Sequence, residues 1–162
     1  MRRVLIVLVC LVVVVGVAGF LFVRSVGMFA GAPVYTTERG ALDGYDPVAF
    51  FVEGRPVAGE DAHSMQWRGS RWKFSSAQNL ERFRRDPEAF APQYGGYCAY
   101  GMANGYTART DPDTWTIVDG RLYLNFDADV KAQWQAERAP MIERADEHWL
   151  ESRPARNLAA MQ

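Results

Sequence analysis

A stretch of twenty residues near the amino terminus, Val4 to Val23, contains no charged side chain. A helix of about 20 apolar residues, rising about 1.5 Å per residue, crosses the roughly 30 Å hydrocarbon core of a bilayer. A cleaved secretory signal has a shorter apolar region, of about 7–15 residues. The sequence therefore predicts an uncleaved transmembrane helix, or signal anchor, in residues 1–24; the alternative is a signal segment cut at the small residues Ala30–Gly31–Ala32.

The charges flanking this stretch predict its orientation. Arg2, Arg3 and the free amino group precede it, whereas Arg24 alone follows closely. Positive flanks stay in the cytoplasm. We therefore expect a single-pass protein of the inner (cytoplasmic) membrane, with its soluble part on the periplasmic or extracellular side.

The remaining chain is predicted to hold one domain. Residues 25–42 are rich in glycine and read as a linker, residues 43–152 as the domain, and residues 153–162 as a tail. The formal net charge of −1, with acids and bases interspersed, disfavours a nucleic-acid partner, which would require a basic stripe. Cys98 is the single cysteine outside the apolar stretch, so a disulfide framework within the domain is excluded.

Alternating apolar residues predict two β-hairpins. The first joins His63–Trp67 to Ser70–Phe74, and the second joins Trp115–Val118 to Arg121–Leu124 through Asp119-Gly120, a pair that favours a type I′ turn. The fold class is therefore α+β: two antiparallel β-hairpins packed with short helices.

Helix signals lie between and after these hairpins. Ser75-Ser76-Ala77-Gln78 is typical of a capping box and opens a helix that ends before Asp86-Pro87. A helical pair, at about residues 128–138 and 140–151, closes the domain.

Cys98 is the first candidate for chemistry. It lies at the expected start of a helix, where backbone amides and the helix dipole favour a thiolate; the alternative is a buried apolar residue. Met102 follows four residues later, on the same helical face. A thiolate with a thioether suits Cu(I), and His63 is the candidate third ligand.

Other signals are weaker. The sequence has no Cys-x2-Cys zinc pair, no nucleophile elbow and no phosphate-binding loop, so we predict no catalytic residues and favour a non-enzymatic protein. Tyr94, Tyr97 and Tyr100 cluster around Cys98 in the sequence. They are either the amphipathic edge of the core or the lining of a small-molecule pocket.

Three motifs together resemble the YHS-domain family, in its exported bacterial branch. They are Gly44-Tyr45-Asp46-Pro47-Val48-Ala49-Phe50-Phe51, Phe74-Ser75-Ser76-Ala77-Gln78-Asn79, and Gln93-Tyr94-Gly95-Gly96-Tyr97-Cys98-Ala99-Tyr100-Gly101. The resemblance implies an association with metals, because related domains of heavy-metal transporting ATPases bind the ion through cysteines.

This chain departs from the metal-binding relatives at their ligands. Those relatives carry D-P-V-C-G-M and F-C-S-x-x-C. Here Ala49 follows Asp46-Pro47-Val48, Ser75 occupies the first cysteine position of the second motif, and Gln78 or Asn79 lies near the second. Cys98 is the one cysteine that remains in the domain as a soft ligand.

The leading hypothesis is a membrane-tethered periplasmic YHS-like module that binds a soft metal ion, copper first, through Cys98, Met102 and His63. One alternative is a cysteine-based redox or small-molecule-binding module without metal. The other is a non-catalytic structural or interaction module.

Overall fold

The computed structural model describes residues 34–152. The predicted anchor, the first part of the predicted linker and the tail lie outside these residues. Within residues 34–152 no helix is long and apolar enough to cross a membrane. The anchor and its orientation therefore stay predictions.

The described residues form an α+β fold with three antiparallel hairpins. Each hairpin is a two-stranded sheet of its own. The strands are β1 (Thr36–Thr37), β2 (Gly40–Ala41), β3 (Glu60–Trp67), β4 (Ser70–Phe74), β5 (Asp111–Val118) and β6 (Arg121–Asn125). The helices are α1 (Ala49–Val52), α2 (Ala77–Arg85), α3 (Pro87–Phe90), α4 (Ala99–Ala103), α5 (Ala128–Ala136) and α6 (Arg138–Ser152).

Both predicted hairpins and the closing helical pair are confirmed. In the β5–β6 turn, Asp119 (φ 51°) and Gly120 (φ 72°) both have positive φ, as a type I′ turn requires. In the β3–β4 turn, Arg68 (φ 49°) and Gly69 (φ 77°) do the same. The turn residues therefore set the register of both hairpins.

The third hairpin, β1–β2, lies in the predicted linker. Val34 and Ala41 are buried, and β2 lies beside β4. A Cβ on Gly40 would come within 2.6 Å of the backbone oxygen of Arg71, so only glycine fits there. Residues 34–42 therefore belong to the domain. Strands of two residues are too short to show alternation, which is why the sequence pattern missed them.

The core consists of two hydrophobic clusters separated by β6. Leu122 and Leu124 pack into the first cluster, with Trp72, Phe74 and Phe83. Tyr123, between the two leucines, packs into the second cluster, with Tyr94 and Trp134. Successive side chains of a strand point to opposite faces. Strand β6 is therefore buried on both sides, and its end at Asn125 lies in the interior.

The start of α2 differs from the predicted capping box by one residue. Ser76, not Ser75, caps the helix: its Oγ accepts a hydrogen bond from the backbone N–H of Asn79 at 3.1 Å. The hydroxyl of Ser75 is instead directed to the carboxylate of Asp46 at 2.8 Å. The predicted end of the helix before Asp86 is confirmed, and Asp86 caps α3.

Candidate functional site

Cys98 is the N-cap residue of α4 and is 1% exposed. Its Sγ accepts a hydrogen bond from the backbone N–H of Gly101 at 3.4 Å. On its other side the thiol donates a weak hydrogen bond to Oδ1 of Asn125 at 3.8 Å. Cys98 therefore lies at the predicted helix start, but in the interior, between α4 and the end of β6.

Two opposing effects act on the Cys98 thiol. Burial raises its pKa, whereas the backbone N–H groups of Gly101, Phe126 and Tyr100 lower it, and the carboxylate of Asp127 raises it further. The net direction is upward. The predicted amides are present, but loss of solvation outweighs them, so the folded protein holds a neutral thiol at neutral pH.

Asn125 is the neighbour of Cys98 that the sequence pattern did not single out. It is 0% exposed, and its Oδ1 also accepts a hydrogen bond from the backbone N–H of Tyr100 at 3.2 Å. Its Nδ2 has no hydrogen-bond partner among residues 34–152. The sequence signal that could have identified Asn125 is its position as a polar residue directly after the apolar run Leu122–Leu124.

Met102 lies one helical turn after Cys98, and its backbone N–H donates to the carbonyl oxygen of Cys98 at 2.9 Å. Its side chain is buried in the second cluster with Tyr94 and Trp134. The two sulfur-bearing residues therefore share one short helix, as predicted. The groups described around Sγ of Cys98 are polar, whereas Met102 packs among aromatic rings.

His63 lies on the β3–β4 hairpin. The pairing register of β3 shifts between Glu60 and Ser64, and His63 is in this irregular part. Its Nδ1 lies 3.7 Å from Oε2 of Glu60. Among the residues that the structure describes, no group of three or more His, Cys, Asp or Glu side chains is arranged to hold a metal ion.

The three tyrosines have different environments. The hydroxyl of Tyr94 donates to Oδ1 of Asp146 on α6 at 2.9 Å. Burial raises the pKa of Tyr94 strongly, and the Asp146 carboxylate adds to the shift. Tyr97 is half-buried against the ring of Tyr35, with the ring centres 5.7 Å apart, and Tyr100 packs against the second cluster. Tyr94 therefore connects the glycine-rich segment to α6.

The carboxylate of Asp46 forms the most extensively bonded buried polar site that the structure describes. Asp46 is 0% exposed. Its Oδ1 accepts from the backbone N–H groups of Val48 at 2.8 Å and Ala49 at 3.3 Å. Its Oδ2 accepts from the backbone N–H of Ser75 at 2.8 Å, from the Ser75 hydroxyl at 2.8 Å and from Nδ2 of Asn79 at 2.7 Å. We call these five residues the Asp46 cluster.

The Asp46 cluster explains how a carboxylate is held in the interior. A buried charge is costly unless hydrogen bonds replace the water it loses, and bonds to a charged acceptor are among the strongest. Here five donors surround two oxygens, which offer about four lone-pair directions. The sequence pattern did not single out Asp46 as a site residue, because its partners Ser75 and Asn79 are distant along the chain.

Comparisons of the chain with protein-family models, with curated proteins and with solved structures return no match. The resemblance to the YHS-domain family therefore stays a prediction from the sequence motifs.

We expect Asp46→Asn to lower the free energy of unfolding by at least about 3 kcal/mol, because the new amide group would face N–H donors and leave buried donors unpaired. Chemical denaturation followed by circular dichroism measures this change. Asp61→Asn is the matched control: Asp61 is exposed and pairs with Lys73 at the surface, so its loss should cost less than about 1 kcal/mol. Equal effects of the two substitutions would contradict the role of the cluster.

The raised pKa of the Cys98 thiol predicts that the free energy of unfolding depends on pH. Its pKa is higher in the folded chain than in the unfolded chain, so above about pH 8.5 the unfolded state loses the proton first. The contribution of the neutral Cys98 thiol to the free energy of unfolding is complete below that pH. It is lost as pH rises towards the pKa of the thiol in the folded state. Denaturation curves between about pH 8 and pH 9.5 should show a fall for the wild type and a flatter profile for Cys98→Ser; identical profiles would contradict it.

Proposed function

We propose that the described domain is a YHS-like module in which the residues at or near the metal-ligand positions of the family, Ala49, Ser75 and Asn79, donate hydrogen bonds to the carboxylate of Asp46. It acts as a non-catalytic structural or interaction module, held outside the cytoplasm by the predicted membrane anchor. The Asp46 cluster is the observation that carries this proposal.

The cluster coincides with the positions where the resemblance implies cysteine ligands. Those positions correspond in this chain to Ala49, Ser75 and Asn79, which lie in the first two of the three motifs that resemble the YHS-domain family. In this chain all three direct hydrogen-bond donors at Asp46. A metal-binding relative would surround a cation with thiolates at these places. Here N–H and O–H groups surround the Asp46 carboxylate, and no thiolate is present at these three positions.

The donor set is unfavourable for a cation at the Asp46 cluster. Backbone and amide N–H groups offer hydrogens and do not ligate metals. The oxygens of Asp46, which could ligate, are already occupied by five hydrogen bonds. The site therefore stabilises the fold by itself, without an ion.

Metal removal tests this proposal. Treatment of the purified protein with strong chelators, followed by thermal unfolding, should leave Tm unchanged within about 1 °C, because no ion contributes to the folded state. Asp46→Asn should lower Tm equally with and without chelator. A fall of Tm on chelation that copper or zinc restores would contradict the proposal.

Soft-metal binding at Cys98 is the second candidate, and the arrangement of α4 favours it. Cys98 and Met102 are buried one turn apart. The backbone N–H groups of Gly101, Phe126 and Tyr100 lower the pKa of Cys98, which is the direction that a Cu(I)-binding thiolate requires, although burial has the larger, opposite effect. His63 lies on the β3–β4 hairpin beside Glu60, so this candidate depends on the two sulfurs.

An anaerobic Cu(I) titration against a competing chelator tests the second candidate. Binding should disappear in Cys98→Ser and weaken about tenfold or more in Met102→Leu, because a soft ligand is lost. Met141→Leu is the matched control, since Met141 is another buried methionine of the second cluster. Absence of binding, or equal binding by Cys98→Ser, would eliminate copper and leave the structural proposal unaffected.

A further inference from the structure

Two pairs of side chains that are not fully buried lie next to each other at the surface of the domain. The rings of Tyr35 and Tyr97 are half-buried, and their centres are 5.7 Å apart. The exposed guanidinium of Arg109 lies over the ring of Phe126, 4.2 Å from its centre. We call these four residues the aromatic–arginine strip.

Two loop segments that run in opposite directions join the two pairs. The backbone N–H of Cys98 donates to the carbonyl oxygen of Ala108 at 3.1 Å. At the other end of the same two segments, the hydroxyl of Thr110 donates to a backbone oxygen at 2.9 Å. Tyr97 and Arg109 lie between these two hydrogen bonds, opposite each other. Residues that lie directly opposite in antiparallel segments have neighbouring side chains, so the strip is continuous.

Arg109 differs from the other basic residues of this part of the domain. Every other Arg and Lys side chain of residues 34–110 contacts a carboxylate or an amide oxygen, as Arg55 does with Glu53. The guanidinium of Arg109 makes no hydrogen bond or ion pair to residues 34–152. Its N–H donors are therefore open to an acceptor from outside the domain.

We propose that the aromatic–arginine strip is the interaction surface of the domain, and that it binds a polypeptide segment of a partner protein that carries an Asp or Glu beside an apolar or aromatic residue. This inference deepens the interaction role proposed above and rests on it.

The strip matches such a segment in charge and in shape. A guanidinium pairs with a carboxylate through two parallel hydrogen bonds. The rings of Tyr35 and Tyr97 offer apolar contact area beside it, and their hydroxyl groups can bond to a peptide backbone. Phe126 already holds the guanidinium of Arg109 in place, so less side-chain freedom is lost when the partner binds.

The composition of the strip favours a protein over other anionic partners. Anionic lipid surfaces are recognised by clusters of about 4–8 Lys or Arg side chains, and nucleic acids by a basic stripe. The strip offers one unpaired cation, which matches one carboxylate. Tyrosine and arginine are enriched at the centres of protein–protein interfaces, where they contribute most of the binding energy.

A peptide library supplies the probe. Phage that display random dodecapeptides are selected on the full chain in detergent, and clones that also bind Arg109→Gln are removed. We expect the enriched peptides to share an Asp or Glu beside an apolar or aromatic residue. Absence of enrichment, or enrichment of peptides without an acidic residue, overturns the proposal.

Fluorescence anisotropy of an enriched, dye-labelled peptide then measures Kd. Arg109→Gln should raise Kd at least about tenfold, because a charge-assisted pair is lost. Exchange of the acidic residue of the peptide for its amide should weaken binding to the wild type equally and have no further effect on Arg109→Gln. Arg55→Gln, at an exposed arginine paired with Glu53, is the matched control and should bind like the wild type. Equal Kd values for wild type and Arg109→Gln, or complete displacement of the peptide by millimolar inorganic phosphate, overturn the proposal.

Thermal unfolding separates this test from that of the Asp46 cluster. Arg109 contacts no member of that cluster, so Arg109→Gln should keep the wild-type Tm with and without chelator. Loss of peptide binding at unchanged Tm assigns the effect to the strip. If no peptide binds while Tm stays independent of chelator, the strip is refuted and the metal-independent Asp46 cluster is not.

Discussion

The buried carboxylate of Asp46 is the interaction on which this part of the fold depends. It connects the turn before α1 with two segments about thirty residues later in the chain, the end of β4 and the first turn of α2. Apolar packing alone would leave the N–H groups of Val48 and Ser75 unpaired where these segments meet. One anion satisfies them together, so the three segments have a defined position relative to one another.

Strand β6 has the corresponding role in the rest of the domain. Its leucines and its tyrosine serve different hydrophobic clusters, and its last residue, Asn125, reaches the start of α4. The environment of Cys98 is therefore built by a strand that packing fixes on both faces. The raised pKa of the Cys98 thiol and the unpaired Nδ2 group of Asn125 both follow from burial at this position.

The fold was predictable where the signal was local. Asp119-Gly120 and the alternation on either side of it define the β5–β6 hairpin without reference to the rest of the chain. Ser75 and Ser76 are equally good caps by sequence, and only the distant carboxylate of Asp46 decides between them. The position of Cys98 at a helix start was predictable, but its neutral state was not, since its burial depends on β6. The partners of Asp46 and Asn125 could not be predicted either, because they are distant along the chain and only the fold brings them together.

The Asp46 cluster also limits how this sequence can vary over time. Replacing Asp46 alone leaves several buried donors without an acceptor. Replacing Ser75 or Asn79 alone removes a hydrogen bond from the buried carboxylate. Each single step passes through a less stable protein, although a coordinated change of all three could be neutral. Stepwise substitution at these three positions is therefore costly, because each intermediate leaves either donors or the carboxylate without partners in the interior.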